Sequence, residues 1–169
     1  MRKIVLFFPL LMMLVLGGVF YLQLGKDAQY MPSALVGKAV PDFSLLSLQD
    51  DRVVTKHDLP SGPYLLNFWG TWCPACHVEH PFLMELAASG VTVVGVDYKD
   101  QKAQAEQWLQ EKGNPYALVL MDEMGFFGVD LGVTGAPETF VVSRDGIVQY
   151  RHQGVINAQN WPEIRGYMK

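Results

Sequence analysis

The chain has only two cysteines, and both lie in one short stretch, Trp72-Cys73-Pro74-Ala75-Cys76-His77. A C-x-x-C spacing just after an apolar run and at the start of a predicted helix has definite chemical consequences. The first cysteine of such a helix sits beside backbone N–H groups that lack intrahelical acceptors, at the positive end of the helix dipole. Both favour thiolate over thiol, and thiolate is the species that attacks disulfides, so Cys73 is placed as a nucleophile. Cys76 follows one helical turn deeper on the same face, where it can attack a mixed disulfide on Cys73 and release the product. The pair could therefore cycle between dithiol and disulfide with no cofactor and no metal.

Three other uses of the pair compete with this reading. A structural disulfide closing so short a loop removes little entropy from the unfolded chain. Zinc could take both cysteines and two of His57, His77, His80 and His152, but structural zinc usually brings a second regularly spaced ligand pair, and none is present. The third competitor is sharper, because Cys73-Pro74-Ala75-Cys76-His77 matches C-x-x-C-H, the attachment signature of c-type haem. A covalently bound haem would displace the packing around a buried strand. The redox dithiol is the favoured reading, and haem carriage remains the alternative to test.

The elements around the motif support a mixed α/β domain. Tyr64–Trp69 and Val91–Asp97 are apolar runs rich in β-branched or aromatic residues, as in strands covered on both faces. Between them, Pro74 to Ala88 suits a helix, with Pro74 in the permissive first turn and Pro81 predicted to kink the middle. Lys102–Lys112 is a second amphipathic helix with Ala105, Trp108 and Leu109 on one face, ended by Gly113-Asn114-Pro115. Leu118–Met121, Thr139–Val142 and Ile147–Tyr150 read as strands, the last two joined by the hairpin signal Arg144-Asp145-Gly146. Asn160–Met168 is predicted as a closing helix. Strands that first alternate with helices and then form a hairpin imply a mixed sheet with helices on both sides.

Composition narrows the setting. Of 169 residues, half are hydrophobic, which rules out a disordered chain, and two cysteines are too few for a disulfide-stapled scaffold. A net charge of −4 argues against general nucleic-acid binding. From Ile4 to Leu24 there is no charge, and Arg2 and Lys3 precede the run. This is the pattern of a single membrane-spanning helix (residues 1–24) with its N-terminus in the cytoplasm and all that follows exported. A cleaved signal peptide is the competing reading; its apolar region is usually shorter, about 7–15 residues. Removing Arg2 and Lys3 from the 13 basic residues leaves 11 against 17 acidic ones, a formal −6 for the exported part. Residues 25–38 read as a polar tether, and 39–169 as the folded domain.

Phe68-Trp69-Gly70-Thr71-Trp72-Cys73-Pro74-Ala75-Cys76 resembles the active-site segment of the thioredoxin fold, and Gly135-Ala136-Pro137-Glu138-Thr139-Phe140 resembles its second signature. Further matches are Val40-Pro41-Asp42-Phe43, Glu79-His80, Gly95-Val96-Asp97-Tyr98-Lys99-Asp100, Gly113-Asn114-Pro115-Tyr116-Ala117-Leu118 and Gly132-Val133-Thr134. Together these resemble the membrane-tethered thiol:disulfide interchange proteins of cytochrome c maturation, the CcmG/DsbE group, from about Val36 to the C-terminus. The resemblance implies a thioredoxin fold and a cis Pro137 facing the dithiol. It also implies a periplasmic domain on an inner-membrane anchor, and reduction of the C-x-x-C-H cysteines of apocytochrome c, or of another haem-ligation component. A membrane thiol donor of the DsbD or CcdA type would reduce the pair in turn. A general exported-protein disulfide reductase or oxidase is the closest alternative.

Several residues depart from or elaborate that pattern. His77 stands where Arg is expected and Thr134 where Tyr is usual. Asn67 occupies the strand position where general thioredoxins carry a buried Asp, and a neutral amide cannot shuttle protons. Glu79, three residues after Cys76, is the candidate substitute as acceptor of the Cys76 proton; the plainer reading is a first-turn helix carboxylate. Glu138 would lie near the site opening and oppose a thiolate, or else be a solvated loop charge. Trp72 would flank the reactive sulfur, or be only a partly buried aromatic. His57, His80 and His152 read as surface or packing residues, and Phe126 and Phe127 as packed loop aromatics.

Overall fold

The computed structural model describes residues 2–23 and 35–168. They fall into two units divided near Pro32. The first contains one helix, α1 (Arg2–Gln23), with Pro9 inside it. Side chains 2–7, 10, 22 and 23 lie outside the described residues, and among those described no helix is long and apolar enough to cross a membrane. Leu24 and residues 25–34 of the predicted tether also lie outside the described residues.

The second unit is built on a sheet of seven strands: β1 (Ser44–Ser47), β2 (Val53–Thr55), β3 (Tyr64–Trp69), β4 (Val93–Tyr98), β5 (Leu118–Asp122), β6 (Glu138–Val142) and β7 (Val148–Gln153). Their spatial order is β2-β1-β5-β4-β3-β6-β7. Strands β3, β4 and β5 are parallel neighbours, and β6 and β7 add on antiparallel. The helices α2 (Pro74–Ala88) and α3 (Lys102–Lys112) make the crossovers β3 to β4 and β4 to β5. Two consecutive right-handed crossovers stepping the same way must lie on one face of the sheet. Leu83 and Leu86 of α2, Ala105, Trp108 and Leu109 of α3, and Ile164 of α5 (Trp161–Arg165) accordingly share one buried cluster with both cysteines. The return from β5 to β6 runs under the other face through α4 (Phe126–Asp130), whose Phe127 joins Phe68, Tyr98, Leu120 and Phe140 in a second cluster.

Strand β3 is central and covered on both sides, and its six residues are all buried. Alternation divides it: Leu65, Asn67 and Trp69 face α2, while Leu66 and Phe68 face α4. The predicted strand β3 and helices α2 and α3 match their observed bounds, and β4, β5, β6 and β7 differ by one to three residues at their ends. The closing helix is shorter than predicted, five residues. The hairpin β1–β2 and the helix α4 have no counterpart in the sequence reading. Four- and three-residue strands carry too little periodicity to register, and α4 has Gly125 as N-cap and Gly128 inside it, against helix propensity. Phe126 and Phe127 thus lie on a helix rather than a loop, with Phe127 buried and Phe126 exposed.

Phe140 is fully buried and meets Phe68 edge to face, with centroids 5.8 Å apart. Replacing Phe140 with Ala should cost about 3–5 kcal/mol in a urea titration followed by circular dichroism. A loss below about 1 kcal/mol would mean that this face does not pack as described.

Candidate redox site

Cys73 and Cys76 form a disulfide at the N-terminus of α2, with their Cα atoms 5.3 Å apart. Cys73 is the N-cap residue in extended conformation (φ −98°, ψ 103°), and the Cys76 backbone N–H donates to Cys73 Sγ at 3.1 Å. Pro74 occupies the first turn, where its missing N–H costs nothing. Both cysteines are buried.

The turn ahead of Cys73 is strapped to the end of β4. Thr71 donates through its backbone N–H and its hydroxyl to Asp100 Oδ2, at 2.5 and 2.7 Å. The Trp72 indole N–H donates to the Tyr98 carbonyl at 2.9 Å, leaving the ring half exposed. Gly70 is needed beneath this ring, because a Cβ there would lie 2.4 Å from Trp72 Nε1. Trp72 is therefore a partly buried aromatic anchored by its N–H, with the rest of the ring open to solvent. The exposed His77 ring has Nε2 3.0 Å from the Thr71 carbonyl and stands edge-on to Trp108.

Below the cysteines, aromatic rings run in a row. Tyr116 stacks on Trp69 at 5.4 Å, Trp69 packs on Trp108 at 5.0 Å, and His80 meets Trp108 edge-on at 4.2 Å. Burial lowers the His80 pKa, and its Nε2 lies 3.1 Å from the Gly113 carbonyl. His80 is thus a packing residue, His57 is exposed and His152 half-buried. Among the described residues, no three His, Cys, Asp or Glu side chains come together as a metal site.

Glu79 is not a first-turn surface carboxylate. It is 1% exposed, with Oε2 accepting from Asn67 Nδ2 at 3.0 Å and Oε1 accepting from the Ile156 N–H at 2.7 Å. Asn67 also donates to Thr139 Oγ1 and accepts from the Tyr116 hydroxyl. Burial pushes the Glu79 carboxyl up to about 7, outweighing the two hydrogen bonds that lower it. The amide at position 67 cannot ionise, but it holds the carboxylate that can.

Pro137 is buried, and the Ala136–Pro137 bond is cis, as the resemblance implied. The expectation for Glu138 needs correction. It opens β6, is buried, and pairs with Arg151 Nη2 at 2.8 and 3.0 Å while Thr134 Oγ1 donates at 2.6 Å and Gln153 Nε2 at 3.2 Å. It is neither a solvated loop charge nor a bare negative field, because the guanidinium offsets its charge within the same pocket. Thr134, where Tyr was expected, belongs to this cage. The sequence held a cue in Arg151, which faces Phe140 across the β6–β7 hairpin, next to Glu138's own row.

A closed C-x-x-C disulfide capping the helix after the central strand, with a cis-proline loop following later in the chain, is the arrangement of a thiol–disulfide exchange protein. The Redoxin family pattern matches residues 35–166. The chain is 47% identical to thiol:disulfide interchange protein DsbE of Vibrio cholerae, over 96% of this chain and 92% of that one. It belongs to the DsbE family of thiol:disulfide interchange proteins. It is 46% identical to DsbE of Escherichia coli K12, again over 96% and 92%. Among solved structures it is similar to a thio-disulfide isomerase from Thermus thermophilus (TM-score 0.65, 25% identity, covering 76% of this chain and 93% of that one). It is also similar to MTB dsbF, solved in mixed oxidised and reduced forms (TM-score 0.66, 28% identity, covering 75% and 95%). The chain is a thiol:disulfide oxidoreductase of this DsbE family.

A folded-state pKa of about 7 for Glu79, above the ordinary 4.5, gives a stability contribution that is full below about 4.5 and lost as pH rises through about 7. Relative to Glu79→Gln, the native chain should lose on the order of 3 kcal/mol of stability between those limits. Urea midpoints measured across that range check this, and parallel curves for the two proteins would refute it.

Proposed function

We propose that the chain is a membrane-anchored reductase that keeps the C-x-x-C-H cysteines of exported apocytochrome c, or those of another haem-ligation component, in the dithiol state. The observation that carries the reading is the Cys76 N–H directed at Cys73 Sγ from the first turn of α2. In the reduced protein the same donor and the helix dipole favour a thiolate at Cys73. That thiolate attacks the substrate disulfide, forming a mixed disulfide and releasing one substrate thiolate. Cys76 gives its proton to Glu79, attacks Cys73 Sγ, and releases the second substrate thiolate. The substrate gains two electrons and Cys73–Cys76 closes. A carboxyl near 7 suits Glu79 to this transfer at neutral pH.

Trp72, Pro74, Pro137 and Glu138 shape the site rather than react. Trp72 and the Pro137 loop form the docking surface, Pro74 fixes the helix start, and Glu138 with Arg151 holds the loop. The redox pair itself serves as the only cofactor. A membrane thiol donor of the DsbD or CcdA type returns the electrons.

The uncharged run from Ile4 to Leu24 supports insertion of α1 into the inner membrane, with Arg2 and Lys3 cytoplasmic and residues 39–169 periplasmic on the 25–38 tether. Haem carriage is less well supported. Both sulfurs are buried in a shared disulfide, and His77 is turned to Thr71 and Trp108.

Three experiments test the proposal. Cys73→Ser should abolish turnover, while Cys76→Ser should accumulate a mixed disulfide whose partner, identified by mass spectrometry, is an apocytochrome c; capture of unrelated exported proteins instead would point to a general reductase or oxidase. Equilibration of the full chain in thiol–disulfide buffers should give a potential near or below about −200 mV, and a value near −120 mV would reverse the direction of electron flow. Alkaline carbonate should leave the full chain in the membrane fraction and release a version starting at Gly25.

A further inference from the structure

Almost every buried acid in the domain has its partners. Glu79 holds Asn67 and Ile156, Glu138 holds Arg151, Asp122 accepts from the Phe127 and Gly128 N–H groups, and Asp100 holds Thr71. Asp97 is the exception. It is 0% exposed, and neither carboxyl oxygen has a hydrogen-bond partner. A buried carboxylate left in this state costs several kcal/mol, so the group is retained in its neutral form.

Its place on the sheet is well determined. Alternation along β4 puts Val93, Gly95 and Asp97 on the face covered by α2 and α3, and a Cβ on Gly95 would touch Trp69 and Tyr116. In register, Asp97 lies between Trp69 of β3 and Met121 of β5, both in the cluster that contains Cys73 and Cys76. The next residues, Tyr98 and Asp100, are the ones that strap the turn leading into Cys73. Asp97 is thus the last inward-facing residue of β4 beneath that strap.

We infer that Asp97 is a positioning residue of the redox site, whose proton keeps this end of β4 uncharged so that the anion created when the Cys73–Cys76 disulfide is reduced does not share the apolar cluster with a carboxylate. This rests on the reading of Cys73 as the nucleophile. The surrounding charges agree with it. Burial pushes the Asp97 carboxyl up to about 8, and Asp100 beyond β4 and Glu123 beyond β5, of the same sign as its ionised form, add to the shift. From α2 come Glu79, His77, His80 and the cysteines; before β5 stands Tyr116, whose own ionisation Asp97 and Glu79 oppose. α3 presents Ala105, Trp108 and Leu109, none of them ionisable, and β3 presents Trp69. No cation is therefore among the groups that shift Asp97. Two like charges in one low-dielectric cluster repel strongly, so each raises the other's pKa. Reduction to the Cys73 thiolate must then draw a proton onto Asp97 wherever the oxidised protein has begun to lose it.

The test is redox-difference infrared spectroscopy on the full chain in detergent, at a pH just above about 8. Reduction should bring up a protonated-carboxyl stretching band that is kept in Glu79→Gln and lost in Asp97→Asn. The potential should also fall more steeply with pH in that window for the native chain than for Asp97→Asn. Because Glu79→Gln leaves position 97 intact, it decides the matter even if Asp97→Asn fails to fold. A Glu79→Gln protein whose Cys73–Cys76 disulfide is reduced with dithiothreitol but which shows no redox-dependent carboxyl band overturns this inference alone, as does a band that survives in folded Asp97→Asn. A chain whose Cys73 exchanges with no disulfide overturns the inference together with the proposed function.

Discussion

The Glu79 carboxyl is the point through which the domain is tied together. One oxygen takes the Asn67 amide from the central strand and the other takes the Ile156 N–H from the segment after β7, while the residue itself belongs to the helix that starts at Cys73. Asn67 passes the connection on to Thr139 beside the cis-proline loop and to Tyr116 before β5. This buried side chain therefore fixes the active-site helix directly to two other parts of the chain, and through Asn67 to two more. Burial makes those hydrogen bonds strong and also makes the charged form costly. The group that holds the architecture is for the same reason the one that titrates near neutrality.

Around this tie, the site is held from two directions. The Asp100 and Tyr98 contacts fix the turn before Cys73 from the β4 side, and the Glu138–Arg151 pair fixes the strand after Pro137 from the β6–β7 side. What acts on Cys73 directly is the first turn of its own helix, a backbone effect that is independent of side-chain identity.

Much of this was legible in the sequence, because its signals are local. The strand β3, the helices α2 and α3 and the β6–β7 hairpin each carry a full period of hydrophobic pattern or a turn dipeptide, and Cys73-Pro74 marks a helix start without further context. The long-range partners were not legible. The sequence leaves Glu79 open between a proton acceptor and a first-turn helix carboxylate, because its spacing from Cys76 says nothing of Ile156, a contact spanning 77 residues. The Glu138 pairing is similar: the hairpin signal brings Arg151 near, but only the register of β6 on β7 shows that it folds onto the carboxylate. Asp97 carries no distinguishing local signal, because a carboxylate in a β-branched run looks like a strand end until its lack of partners is seen.

The two borders of the sheet have a consequence of their own. At one border β2 is three residues long and stops in a capped turn at Thr55. At the other, the domain's first residues lie along the start of β7, with Gly37 donating to the Val148 carbonyl and Val148 donating to that of Lys38. Tyr167 stacks on Tyr150 further along. An unprotected sheet margin would recruit any extended polypeptide as an extra strand. An enzyme that exchanges disulfides with protein chains meets such segments repeatedly, and with its margins blunted it can engage them at the sulfur and let them go.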